Sequence, residues 1–297
     1  MNTLHYLTSP DLWRLYWPGV VAGVALAALC SALSVLVVLK RLAFIGQGVS
    51  HAAFGGVGVV ALVGLTGALA SSGPLGGLGA VVQFAIIFAF CLGAALLIGL
   101  LSGRAAEPDT AIGIVLVASM AAGAIMLHYA PSTVSWETFL FGSIIDVAWT
   151  DAGVAWGVAL LAAGALWWFR RSLVFWAFDP VVARAMGVRH AAMNVLLMTL
   201  LALATVTAMK LAGVVLATAL LVLPGAVALR LSTRWRPVLV TAAVTSGIGV
   251  LAGIILSFEM NWPTGPSIVC VLAVLFALAR AGDRVRARVA PPAGTAP

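Results

Sequence analysis

Gln47 and His51 stand four residues apart in the stretch KRLAFIGQGVSHAAFGG, from Lys40 to Gly56. On a helix that spacing puts both side chains on one face. An imidazole nitrogen is a good ligand for zinc and other transition metals, whereas a neutral amide oxygen is a weaker donor than a carboxylate. If the helix leaves the membrane surface at Lys40 and Arg41, a rise of about 1.5 Å per residue puts His51 roughly 15 Å deep, near the middle of a hydrocarbon core about 30 Å thick. A polar pair at that depth lines a substrate path, or it hydrogen-bonds between helices and holds a bundle together. Ser50 reads as bonding back to its own helix. Gly46, Gly48, Gly55 and Gly56 read as close-packing positions whose density also lets a helix flex.

The environment follows from composition. Hydrophobic residues make up 63% of the chain and charged residues 8%, against about 25% charged in soluble domains. Apolar runs near the spanning length of about 20 residues recur at 18–39, 52–70, 82–101, 111–129, 152–169, 191–209, 213–229 and 238–257, with a shorter one at 266–280. Barrel strands would instead show segments of about 10 residues alternating polar and apolar. The expected fold is all-α, a polytopic transmembrane bundle of eight to nine helices. A leader at 1–17 precedes a transmembrane domain at 18–282, and a disordered basic tail follows at 283–297. Pro224, inside the seventh run, removes a backbone bond and is expected to kink or break that helix, a bend usable in gating.

With nine crossings, the basic residues sort to one side. Lys40, Arg41, Arg104, Arg170, Arg171, Arg184, Arg189, Arg230, Arg234, Arg236, Arg280, Arg284, Arg286 and Arg288 fall together, and Arg14 and Lys210 fall opposite. Cytoplasmic loops are enriched in Lys and Arg, so the expected topology is multi-pass in the cell inner (plasma) membrane, amino terminus outside and carboxyl terminus in the cytoplasm. The net charge of +7 is explained by that sidedness and by anionic membrane lipid, with no nucleic-acid partner needed. Residues 1–17 lack an apolar core followed by a small-residue cleavage site, so the first crossing is expected to stay as an anchor. Cys30, Cys91 and Cys270 each sit in an apolar run and read as buried thiols. The exterior stretch 130–150 suits a surface-lying or re-entrant helix, and FEMNWPTGP a rigid cap. Asp109 reads as the N-cap of the fourth crossing. His128, Glu137, Asp146 and Glu259 lie near the outer surface, as metal receivers or ordinary loop residues; His5 and His190 lack metal-ligand spacing.

The loop RRSLVFWAFDPVVARAMGVRH, 170–190, carries helix punctuation. Asp179 suits an N-cap, Pro180 the first helical position, and Gly187 the position just past the end. The bracketed helix has Val182, Ala185 and Met186 on one side and Arg184 near its end. It is either a connector on the lipid surface or a docking helix for a soluble partner.

Three stretches, R-x-x-F-x-G-x-x-x-S-H-A from Arg41 to Ala52, F-D-P-x-x-A-x-x-x-G from Phe178 to Gly187, and G-x-x-L-x-x-A-L-L-V-x-P-x-x-x-A from Gly213 to Ala228, resemble the membrane permease subunits of ATP-binding-cassette importers for zinc, manganese and chelated iron. DTAIG at Asp109–Gly113 and LFGSI at Leu140–Ile144 are weaker echoes, and the similarity runs over nearly the whole chain in the family order. The resemblance implies that Asp179, Pro180, Ala183 and Gly187 belong to a coupling helix engaging a separate ATPase subunit. It further implies a second copy of the chain, two ATPases on the cytoplasmic face and an extracytoplasmic metal-binding protein. Family members commonly carry Asp where this chain has Gln47, and that residue with His51 looks like an ion-coordinating gate. Twofold pairing would gather two imidazoles and two amide oxygens around one metal ion.

The sequence contains no GxxxxGK[ST] phosphate cradle, which agrees with a transport subunit that is not itself an enzyme and needs no cofactor. The alternative is a secondary transporter or channel for a cation, independent of an ATPase, which should show ionisable residues deep in several helices. An intramembrane enzyme would need a nucleophile-and-base set or a HExxH motif, and neither is present.

Overall fold

The computed structural model describes residues 10–63, 76–102, 108–129, 142 and 147–289. Its helices in chain order are α1 (Pro10–Leu39), α2 (Ile45–Leu62), α3 (Gly76–Leu101), α4 (Pro108–Tyr129), α5 (Trp149–Trp168), α6 (Arg170–Phe178) and α7 (Pro180–Ala185). A 42-residue helical stretch, His190–Leu231, follows, and then Trp235–Met260 and Thr264–Val289. Among the described residues the architecture is all helix, as the apolar runs predict.

The long stretch is two helices. The rings of Trp176 and His190 lie 5.5 Å apart, and those of Phe178 and Trp235 6.0 Å apart. Both ends of the stretch therefore meet the same short segment, whereas a straight helix of that length would hold them roughly 63 Å apart. The chain doubles back at Gly213, its one residue with non-helical angles, φ 82° and ψ 168°. At the far end, Lys210 Nζ pairs with Asp151 in the first turn of α5 at 3.1 Å. The two arms are α8 (190–212) and α9 (214–231), followed by α10 (Trp235–Met260) and α11 (Thr264–Val289). Eight stretches among the described residues are long and apolar enough to cross a membrane, and the longest of them is two helices joined at Gly213.

Gly213 sits in a region of backbone space that is essentially glycine-only. Gly142, also at positive φ (53°), lies against it so closely that a Cβ there would overlap the Gly213 nitrogen and come 2.6 Å from the Ala212 carbonyl carbon. Gly213→Ala is expected to cost about 1–3 kcal/mol of backbone strain and to lower Tm by several degrees. A thiol-reactive dye reads this in a Cys270→Ser background, because Cys30 and Cys91 are buried until the bundle opens whereas Cys270 is exposed. An unchanged melting curve would show that the corner tolerates a side chain.

Small residues let the helices touch backbone to backbone, the usual way of packing in lipid, where no hydrophobic force draws helices together. A Cβ on Gly123 of α4 would stand 2.9 Å from the Gly55 nitrogen of α2, and one on Gly225 of α9 would overlap the Ser34 carbonyl of α1. α2 packs against α3, α4 and the α8–α9 hairpin. It is buried over most of its length, whereas α3, α4 and α5 are open along much of their surface.

Several boundaries shift from the sequence reading. Helix α1 starts at Pro10, inside the expected leader, and α11 runs to Val289, past the expected start of the tail, with Asp283 3.4 Å from Arg230. The tail's polar composition masks an amphipathic continuation. Cys270 is exposed, because α11 lies on the perimeter. Asp109 falls in the first turn of α4, which begins at Pro108, and so is not its cap. Backbone angles remain helical through Pro224, and the break lies at Gly213 instead. A proline costs one hydrogen bond, while a glycine at positive φ redirects the chain. His5, Arg104, Glu137 and Asp146 lie outside the described residues, as does most of the exterior stretch 130–150.

Candidate functional site

Helix α2 starts at Ile45, after a turn in which Arg41 adopts φ 55°. His51 is therefore about 9 Å along the helix axis, not 15 Å from a surface at Lys40. The start of the helix is inside the bundle all the same. A Cβ on Gly46 would contact Leu221 and Thr218, in the middle of α9, at 3.3 and 3.6 Å.

From Ile45 to Ala61 every residue is buried except Gln47, His51, Val57 and Val59. Gln47 is exposed and His51 half-buried, and with Phe44 they form one stripe over the first turns of the helix. Helix geometry and packing thus bring the pair together on an opening in an otherwise enclosed helix. A stripe meant for acyl chains would be apolar; an amide and an imidazole there call for water, a passing solute or another polypeptide.

The His51 ring has a defined orientation. Its Nδ1 lies 2.9 Å from the backbone carbonyl oxygen of Gln47. A carbonyl only accepts, so Nδ1 carries the hydrogen, and in the neutral ring Nε2 keeps its lone pair. This is the arrangement that fixes the tautomer of metal-binding histidines. Ser50 donates back to the Gly46 carbonyl, which leaves its hydroxyl engaged within the helix.

At the basic end, α6 and α7 make the second candidate element. Asp179 caps α7, one carboxylate oxygen accepting from the Val181 and Val182 amides at 2.9 and 3.0 Å, with Pro180 opening the helix. Gly187, at φ 80°, closes it: its amide donates to Arg184 and the Val188 amide donates to Ala183, at 3.0 and 2.9 Å. These are the paired bonds of a glycine-terminated helix end. Val181, Val182 and Met186 point outward, 77%, 43% and 62% exposed, while Ala183 is 1% exposed. Ala183 is thus a seat on the bundle, and the outward apolar face belongs to its neighbours.

A cluster missed at the sequence level ties the two elements together. Lys40, in the turn before α2, donates to the Trp176 carbonyl at 2.6 Å and lies 3.6 Å from that ring's centroid. Trp176, near the end of α6, is 2% exposed and also meets His190 at the start of α8. Burial pulls the Lys40 pKa below the ordinary lysine value. The sequence marks Lys40 only as a basic flank, since contact with a residue so distant in the chain leaves no trace in one sequence. Among the described residues no three His, Cys, Asp or Glu side chains gather as a metal site. His128 contacts Tyr129 at the end of α4, away from the α2 opening.

The manganese transport system membrane protein MntC of Halalkalibacterium halodurans is 34% identical over 260 residues, covering 87% of this chain and 84% of that protein. The manganese transport system membrane protein MntB of Synechocystis is 28% identical, over 94% of this chain and 86% of that one. The solved structure of PsaBC from Streptococcus pneumoniae in complex with Fab superposes with a TM-score of 0.76 at 26% identity, covering 93% of both chains. The model of the ABC 3 transport family matches residues 14–282, nearly the whole helical bundle with its α2 opening and capped α7. This multi-pass membrane chain belongs to the ABC 3 transport family.

Proposed function

We propose that the chain is the permease subunit of an importer that moves a divalent transition metal into the cytoplasm, zinc, manganese or iron, free or chelated. ATP is hydrolysed on a separate subunit. The observation that carries this reading is the His51 ring, held by the Gln47 carbonyl with Nε2 left as a lone-pair donor on the polar stripe of α2. Manganese transport by the named relatives supports the same class of cargo.

In this reading two copies set their α2 openings toward a shared path, so that one ion meets two imidazoles and two amides. An extracytoplasmic binding protein delivers the metal. The basic end faces the cytoplasm, with the amino terminus outside and the carboxyl terminus inside. There α7 meets the ATPase through Val181, Val182 and Met186. Lys40 passes movement of α6 and α7 to the turn that begins α2. Membrane lipid surrounds the perimeter helices. The test is reconstitution: the chain with its ATPase should load vesicles with metal only when ATP is present. Uptake without an ATPase would favour a secondary transporter or channel.

Gln47 sets how firmly the ion is held. A neutral amide oxygen binds a divalent cation less tightly than a carboxylate, which favours release into the cytoplasm. Gln47→Glu is expected to tighten manganese binding by about tenfold, since outer ligands and carboxylates shift metal affinity on that scale, and to slow turnover. Isothermal titration and initial uptake rates read the two effects. Unchanged affinity would remove Gln47 from the path.

A further inference from the structure

Arg170, Arg171 and Arg236 line one cavity of about 260 Å³ at the basic end, where α5 passes into α6 and α10 begins. Arg170 and Trp235 line a second cavity of about 250 Å³, which runs between Leu36 of α1, Leu166 of α5 and Leu239 of α10. The two adjoin through that shared arginine and tryptophan. Three guanidiniums thus stand at the mouth of a crevice that is otherwise apolar.

None of the three arginines has a carboxylate partner among the described residues. Arg170 instead lies 5.0 Å over the Trp167 ring. Trp167 and Trp168 are 64% and 77% exposed, and with Trp235 they make an aromatic belt of the kind found at headgroup level.

We infer that this is a binding site for an anionic phospholipid of the cytoplasmic leaflet. Arg170, Arg171 and Arg236 hold its phosphate, and an acyl chain fills the crevice. The inference rests on the orientation proposed above, with the basic end in the cytoplasm. Basic pockets between helices on that side suit anionic headgroups, and guanidinium pairs with phosphate through two parallel bonds. A soluble partner's carboxylates would satisfy the arginines and leave the apolar crevice empty, whereas an amphiphile satisfies both. The bound headgroup would rest beside α6, the element that leads into α7.

Native mass spectrometry of the purified full-length chain, in detergent with equal phosphatidylglycerol and phosphatidylcholine, tests this without any uptake measurement. Its failure is therefore separate from failure of the importer reading. The expected result is phosphatidylglycerol retention about fivefold above phosphatidylcholine. The preference should vanish in the combined R170Q, R171Q and R236Q variant. Retention should also fall in Ala163→Trp, which fills the crevice and keeps the arginines. Inorganic phosphate at the same concentration should not displace the lipid. Equal retention of the two lipids, a preference that survives the triple variant, undiminished retention in Ala163→Trp, or displacement by phosphate would overturn the inference. So would a triple variant that keeps its lipid but no longer co-purifies with an ATPase subunit, which would assign the arginines to that interface.

Discussion

His51→Ala should cut metal uptake at least about tenfold and leave the folded chain in the membrane. The structural cost is small because the ring bonds only to the Gln47 carbonyl of its own helix and lies on the open stripe rather than in the core. A single such bond is worth about 1 kcal/mol, and alanine is the better helix former. The functional cost is large, because the side chain supplies the nitrogen donor of the proposed path, and the other described histidines, His128 and His190, stand at helix ends. Uptake in vesicles holding the chain and its ATPase should fall about tenfold or more, on the scale of a lost metal ligand or its support, with Tm shifted by only a few degrees. The reverse pattern, normal uptake with a large loss of Tm, would make His51 a packing residue.

The helical class and the crossings were legible because lipid leaves a chain few ways to satisfy its backbone, so apolar length alone nearly fixes the elements. The α8–α9 corner was legible as a gap between two runs at Lys210 and Gly213, although the feature that makes it, a glycine at φ 82°, shows only in the backbone. The start of α2 was not legible. The spacing of Gln47 and His51 put them on a helix, but one expected to run from Lys40, whereas the turn at Arg41, φ 55°, delays its start to Ile45, where Gly46 and Gly48 allow close contact with Leu221 and Ile112. The caps of α7 were legible residue by residue, since Asp179, Pro180 and Gly187 act locally. Which face of α7 turns outward was not, because the burial of Ala183 depends on helices distant in sequence. The Lys40–Trp176 contact and the arginine cluster were invisible for the same reason.

Loosening α7 should break the link between ATP hydrolysis and transport. The helix has six residues, far below the roughly 12–15 that hold a helix in isolation, so its shape depends on its ends and its seat. Asp179→Ala removes the acceptor for two amides, a loss typically of about 1 kcal/mol, and frees the first turn. Ala183→Leu forces a larger side chain into a site that is 1% exposed, at a cost of about 1–3 kcal/mol, and lifts the helix from the bundle. In both variants Lys40 still reaches Trp176, so the bundle and the His51 opening persist. ATP-driven uptake should drop about tenfold or more, up to the roughly hundredfold that a 1 Å misplacement of a positioned element can cost, while metal binding to the isolated chain stays unchanged. The ATPase subunit should either co-purify less or hydrolyse ATP without being paced by cargo. An Asp179→Ala variant that kept full uptake with α7 detached, seen as new access of a thiol label at Ala183→Cys once the exposed Cys270 is replaced by Ser, would show that force enters the bundle elsewhere.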